Sequence, residues 1–141
     1  MVSMPLRVRD RTAAWLKKEL AQEKEPERLV ELGERAANFG YKKTPRKAFS
    51  KAVKHERSVK KLVELGDRLR MERQHKIAKA AYSKAIDIEE RHIEVRDPWM
   101  LTSGRHAAWV AKEKLGDFAR SAAILEKMTV RRESSLEFKH K

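Results

Sequence analysis

Two Glu-x-x-His spacings are the first candidates for chemistry: Glu72 with His75, and Glu89 with His92. Residues three apart on a helix share a face, so each pair could offer a carboxylate and an imidazole to one metal ion. A helical two-metal centre also needs two further inward glutamates from separate long helices. Here both pairs fall in or beside one helix, on the polar side of its apolar stripe, so no metal and no cofactor is expected. His55, His106 and His140 have no cysteine or carboxylate constellation around them. The chain contains no cysteine, which removes disulfides, thiolate metal sites and a thiol nucleophile. Neither a glycine-rich phosphate loop nor a distinguishable Ser/His/Asp set occurs. The chain reads as a non-enzyme.

The remaining chemistry is charge. The formal net charge is +13 over 141 residues, and it is unevenly placed. Residues 1–40 carry 8 basic and 7 acidic side chains, residues 41–84 carry 15 and 4, and residues 85–141 carry 11 and 10. Within the middle third, cations recur at an offset of 33: Lys43 with Lys76, Arg46 with Lys79, Lys51 with Lys84. Lys47 and Lys54 extend the first row at helical spacing. Arg57, Lys60, Lys61, Arg68, Arg70 and Arg73 lie nearby in sequence. If the segments are stacked helices, the rows run parallel about 10 Å apart and form a basic face over residues 43–84. Such a face suits a polyanion, most simply a nucleic-acid backbone, and the readout would be largely independent of sequence. RNA is slightly favoured over DNA, because helical repeats often recognise RNA by shape or as single strands.

The elements that would carry these rows can be read from punctuation. Asp10 or Thr12 can cap a first helix through about Glu23, with Ala13, Leu16, Leu20 and Ala21 at helical spacing and Trp15 on the flank. Pro26 opens a second helix with apolar positions Leu29, Leu32, Ala36 and Phe39, stopped by Gly40. Thr44-Pro45 opens a third, burying Ala48, Phe49, Ala52 and Val53. A fourth follows Ser58, with Val59, Leu62, Leu65 and Leu69 in phase. A fifth starts near Gln74, and Asp97-Pro98 opens a sixth. Asp117 caps a seventh whose inner face is read as Phe118, Ala122, Leu125 and Met128. From Arg132 the chain is polar and is expected to fray. Trp15, Trp99 and Trp109 are expected in packing, with Trp99 the most exposed. No strand-like alternation competes.

The offset of 33 is an internal repeat. Leu29-Val30-Glu31-Leu32-Gly33 returns as Leu62-Val63-Glu64-Leu65-Gly66, and Phe49 and Ala52 return as Tyr82 and Ala85. Such a period marks stacked supersecondary units. The pattern of a large residue, Leu-Gly, a loop glycine, an aromatic and an alanine resembles the tetratricopeptide repeat, a helical-hairpin family. The resemblance covers residues 26–131, as units 26–57, 58–96 and 97–131 after a leading segment 1–25 and before a polar tail 132–141. It departs at Pro45, at Arg73 in the loop-glycine position, and at Trp109 where the third unit should have glycine. The interval to the third unit is about ten residues too long, so the fifth helix is expected to be extended.

The resemblance implies an all-α, right-handed stack of antiparallel helix pairs, about seven helices in all, acting as a binding scaffold. Its groove would be lined at Val30, Asn38, Val63, Arg70, Met71 and Val110, which is not the Lys/Asn carboxylate clamp of some family members. The alternative function is therefore a protein adaptor, holding an acidic or amphipathic segment in that groove or self-associating into a homo-oligomer. No run of about 18 apolar residues is present, so no membrane span is expected, and without a leader-like apolar core a cytoplasmic location is expected. Few Asn, Gln and Cys beside many Lys, Glu and Arg resembles a thermophile's composition.

Overall fold

The computed structural model describes the backbone of residues 6–94 and 100–140 and the side chains of residues 11–94 and 101–130. Seven helices and no strand occur among the described residues: α1 (Leu6–Gln22), α2 (Pro26–Asn38), α3 (Lys43–His55), α4 (Val59–Met71), α5 (His75–Glu94), α6 (Met100–Glu113) and α7 (Phe118–His140). Pairs α2/α3, α4/α5 and α6/α7 pack together, α6 also packs on α5, and α1 lies against α2 and α3. The protein is an all-helical stack of antiparallel pairs.

The starts are decided by backbone chemistry. Pro26 takes the first turn of α2, where a missing N–H costs nothing. Ser58 Oγ accepts a bond from the Lys61 N–H at 3.4 Å at the head of α4. Two expected caps are displaced. α1 already runs from Leu6, so Asp10 and Thr12 fall inside it. α3 begins at Lys43, so Thr44 lies within the helix and Pro45 is buried in its first turn, while Lys42 occupies the cap position without a side-chain bond. α5 has 20 residues against 13 in α3, which takes up much of the extra interval before the third unit. α7 stays helical to His140 rather than fraying from Arg132. Asp97, Pro98 and Trp99 lie outside the described residues.

The pairs close through small residues facing large ones. A Cβ on Gly33 would stand 2.5 Å from the Phe49 ring, and one on Gly66 would stand 2.5 Å from the Tyr82 ring. Phe49 and Tyr82 are fully buried and each lies sixteen residues after its glycine. The third pair keeps this device in a different register. Gly104 faces Met128, and buried Ala108 lies sixteen residues before buried Ile124, while Ser121 Oγ donates to the Ala108 carbonyl at 2.8 Å. Trp109 and Leu125, expected at the seam, are about half exposed, and Phe118 and Ala122 of the expected inner face are exposed. The true inner face of α7 is Ser121, Ile124 and Met128. Trp15 is likewise about half exposed rather than packed.

The two repeat loops end their helices in the same way. Gly40 has φ 87°, and the Tyr41 N–H donates to the Ala36 carbonyl at 3.0 Å. Arg73 occupies the equivalent position with φ 60°, and the Gln74 N–H donates to the Leu69 carbonyl at 2.8 Å. A left-handed conformation costs an L-residue about 1–2 kcal/mol that glycine does not incur. Arg73→Gly is therefore expected to raise stability by about 1 kcal/mol. The check is urea unfolding: a higher midpoint at unchanged slope.

Candidate nucleic-acid interface

The eight cations of the predicted rows separate into two groups. Lys43, Arg46, Lys47 and Lys54 on α3, with Lys76 and Lys79 on α5, are exposed. None of these six engages in an ion pair among the described residues. They occupy the faces of α3 and α5 opposite the buried positions Ala48, Phe49, Ala52 and Ala78, Ala81, Tyr82, Ala85.

Lys51 and Lys84 do something else. The Lys51 ammonium donates to the Leu20 and Ala21 carbonyls at 2.6 and 3.3 Å, closing the end of α1. The Lys84 ammonium donates to the Val53 and Lys54 carbonyls, both at 2.7 Å, closing the end of α3. A cation there satisfies orphan carbonyls and lies at the negative end of the helix dipole. Burial, and then Arg57, lower the Lys84 pKa from its ordinary value. These two lysines are structural links between successive units and leave the predicted binding set.

Placement of five of the six runs against helix electrostatics, while Lys54 lies in the last turn of α3, where a cation is favoured. Lys43, Arg46 and Lys47 lie in the first turns of α3, and Lys76 and Lys79 in the first turns of α5. Neither helix has an acidic residue in its first turn. Each cation at a helix start costs about 0.3–1 kcal/mol. Stability of the isolated helices would place acids there, as it does at Glu27 on α2.

Elsewhere cations are neutralised by the preceding unit. Lys61 pairs with Glu27 at 3.9 Å, Arg68 with Glu34 at 2.5 Å and Lys114 with Asp67 at 2.9 Å. On the other side Arg120 meets Asp87 at 2.6 Å and Lys127 meets Glu94 at 2.9 Å. Lys61 and Arg68, expected to reinforce the basic face, are thus taken up, whereas Arg57, Lys60, Arg70 and Arg73 stay exposed.

The groove side is different. A cleft of about 330 Å³ is lined by Pro26, Glu27, Val30, Glu31, Glu56, Lys61, Glu64, Leu65 and Arg68. Glu31 and Glu64 are repeat equivalents, both exposed. An acidic segment would meet like charge there. Of the residues expected to offer apolar groove contacts, Val30, Val63 and Val110 are buried, leaving Met71, with Asn38 and Arg70, exposed.

A buried polar cluster joins α5 to α6. Glu89 is buried; its Oε1 is hydrogen-bonded to His106 Nδ1 and its buried Oε2 has no partner among the described residues. His92 Nδ1 contacts Ser103 Oγ at 2.8 Å, and the His106 ring stacks on Trp109 at 5.9 Å between centroids. Glu89 is the third member of a series spaced by 33. Glu23 and Glu56 follow the ends of α1 and α3, and each accepts from the two backbone N–H groups after it. α5 continues past Glu89, so no free amides remain there, and His106 supplies the partner instead. The described residues hold no group of three or more metal ligands, and Glu72 and His75 are exposed.

Burial raises the Glu89 pKa above its ordinary 4.5, against the opposing pull of His106 and His92. A raised folded-state value means the carboxyl contributes most below the unfolded value, and that contribution is lost as pH rises through the folded value. Wild-type stability is therefore expected to fall relative to Glu89→Gln as pH rises above 4.5, because glutamine never ionises. Parallel urea titrations across pH test it. Curves that stay parallel sink the claim.

No family model matches the chain, and neither a curated protein nor a solved structure matches it. No helix among the described residues is long and apolar enough to cross a membrane.

Proposed function

We propose that this protein is a tetratricopeptide-like, non-enzymatic scaffold whose outer helices α3 and α5 bind a nucleic-acid backbone, RNA in preference to DNA. The observation that carries the reading is the group of six exposed, unpaired cations Lys43, Arg46, Lys47, Lys54, Lys76 and Lys79. They remain free while Lys61, Arg68, Lys114, Arg120 and Lys127 are paired with acids and Lys51 and Lys84 close helix ends. Four recur across the repeat as Lys43/Lys76 and Arg46/Lys79. Lys43 and Lys76 stand in the first turns of α3 and α5, where a cation costs stability, so a role in binding accounts for them better than a role in folding. Lysine dominates, and a row of exposed ammonium groups would make its contacts chiefly to phosphate.

His55 supplies an internal probe. Burial and then the field of Lys51, Lys54, Lys24 and Lys84 hold its pKa below the ordinary 6.5. A bound phosphate chain offsets that field, so the His55 titration is expected to move upward in the complex. The main test is fluorescence anisotropy with single-stranded RNA, single-stranded DNA and duplex DNA over a series of salt concentrations. Affinity is expected to fall linearly in log–log form with salt, by about 0.7 per phosphate contact on a single strand. Absence of binding at low salt overturns the proposal. The acidic-segment reading of the groove has no observation in its favour.

A further inference from the structure

The last helix pair leaves an apolar face open. α7 carries two apolar stripes. Ser121, Ile124 and Met128 are covered by the fold, but Phe118, Ala122 and Leu125 on the adjoining stripe are exposed, Phe118 by 66%. α6 contributes half-exposed Leu101 to the same end. Leu101, Arg105 and Leu125 line one shallow cleft of about 190 Å³ with Met128 and Thr129. In the earlier pairs the next unit covers the corresponding surface: α6 and α7 do so for α5. A helix that is apolar on two sides is a helix meant to be covered on two sides.

We propose that this end face is covered by a second copy of the chain, giving a two-fold dimer through α6 and α7. Charge selects this occupant and this place. Two chains of +13 repel wherever their α3–α5 faces approach. Residues 101–130 carry five bases and three acids, and Lys114, Arg120 and Lys127 among them are paired with acids of earlier helices, so two copies meet at this end without that penalty. The rim is self-complementary, with exposed Arg105 on α6 and exposed Glu126 on α7. In a two-fold interface each residue meets its counterpart reciprocally, so both copies gain an Arg105–Glu126 contact.

The open apolar side chains Phe118, Leu125 and Leu101 would form the centre of the contact, which the polar rim extends towards the ~800 Å² per partner of a standard interface.

The experiment is sedimentation velocity on the full chain, nuclease-treated and in high salt so that no polyanion bridges copies. The wild type is expected at twice 16.4 kDa. Phe118→Glu and Leu125→Glu are each expected at 16.4 kDa with unchanged helical circular dichroism, and Lys47→Glu is expected to stay dimeric. The absence of native cysteine allows a second reading: Leu125→Cys is expected to cross-link copy to copy with a short bis-maleimide. A monomeric wild type, an assembly larger than two, or a dimer that both glutamate variants leave intact with no cross-link at position 125 overturns the proposal.

Discussion

Gly66→Ala is expected to lower stability by about 2–4 kcal/mol, far above the cost of an ordinary exposed substitution. Helix propensity alone would favour alanine by about 1 kcal/mol, so the sign of the result is itself informative. The added methyl would stand 2.5, 2.7 and 2.8 Å from Cε1, Cζ and Cδ1 of Tyr82. That ring has nowhere to go. It is fully buried, and its hydroxyl donates to Asp67 Oδ1 at 2.5 Å. Asp67 is held in turn by Lys114 at 2.9 Å. Burial would raise the Asp67 carboxyl, but the Tyr82 and Lys114 hydrogen bonds outweigh it and hold the pKa below 3.8, while burial and then Asp67 push the Tyr82 phenol up. Room for the methyl therefore comes from parting α4 and α5 or from breaking that hydrogen bond. Denaturant unfolding of a double-mutant cycle measures it: Gly66→Ala should cost less in a Tyr82→Leu background, with a coupling of about 1–3 kcal/mol. Additive effects would show that the close approach is not the cause. Gly33→Ala should follow the same pattern against Phe49 with a smaller loss, since Phe49 has no hydroxyl to anchor it.

This seam was legible because its signal is local and duplicated. Gly33 with Phe49 and Gly66 with Tyr82 share a spacing of sixteen, and helix starts at Pro26 and after Ser58 have backbone reasons that do not depend on the rest of the fold. The third pair was misread for an equally physical reason. α7 has two adjoining apolar stripes, and periodicity cannot say which one turns inward. The choice is made by α6, where the small residues Gly104 and Ala108 fix the rungs and leave Trp109 outside. The structural role of Lys51 and Lys84 was hidden for a different reason. Their acceptors lie about thirty residues upstream, and a lysine bound to carbonyls looks the same in sequence as one bound to water. One signal was available and unused: Glu23, Glu56 and Glu89 recur at 33, and the third falls inside the extended helix, where a carboxylate must find a new partner.

The division among the lysines yields the other large effect. Reversing Lys43, Lys47, Lys76 and Lys79 to glutamate is expected to lower affinity for a single-stranded polyanion at low salt by at least about 100-fold and to reduce the log–log salt slope by about 3. The same substitution is expected to raise stability slightly. All four residues are exposed, none has a described partner to lose, and each reversal puts an acid near the positive end of α3 or α5. Lys51→Met and Lys84→Met should lower stability instead. Each strips a helix end of a charged donor to two carbonyls, a loss of about 1–3 kcal/mol, and leaves the exposed rows and hence the affinity nearly unchanged. Loss of affinity without loss of stability in the first set, and loss of stability without loss of affinity in the second, measured by anisotropy and urea unfolding on the same preparations, separates a binding surface from charge that serves folding or solubility. Retention of wild-type affinity by the fourfold reversal would remove the case for the α3–α5 face.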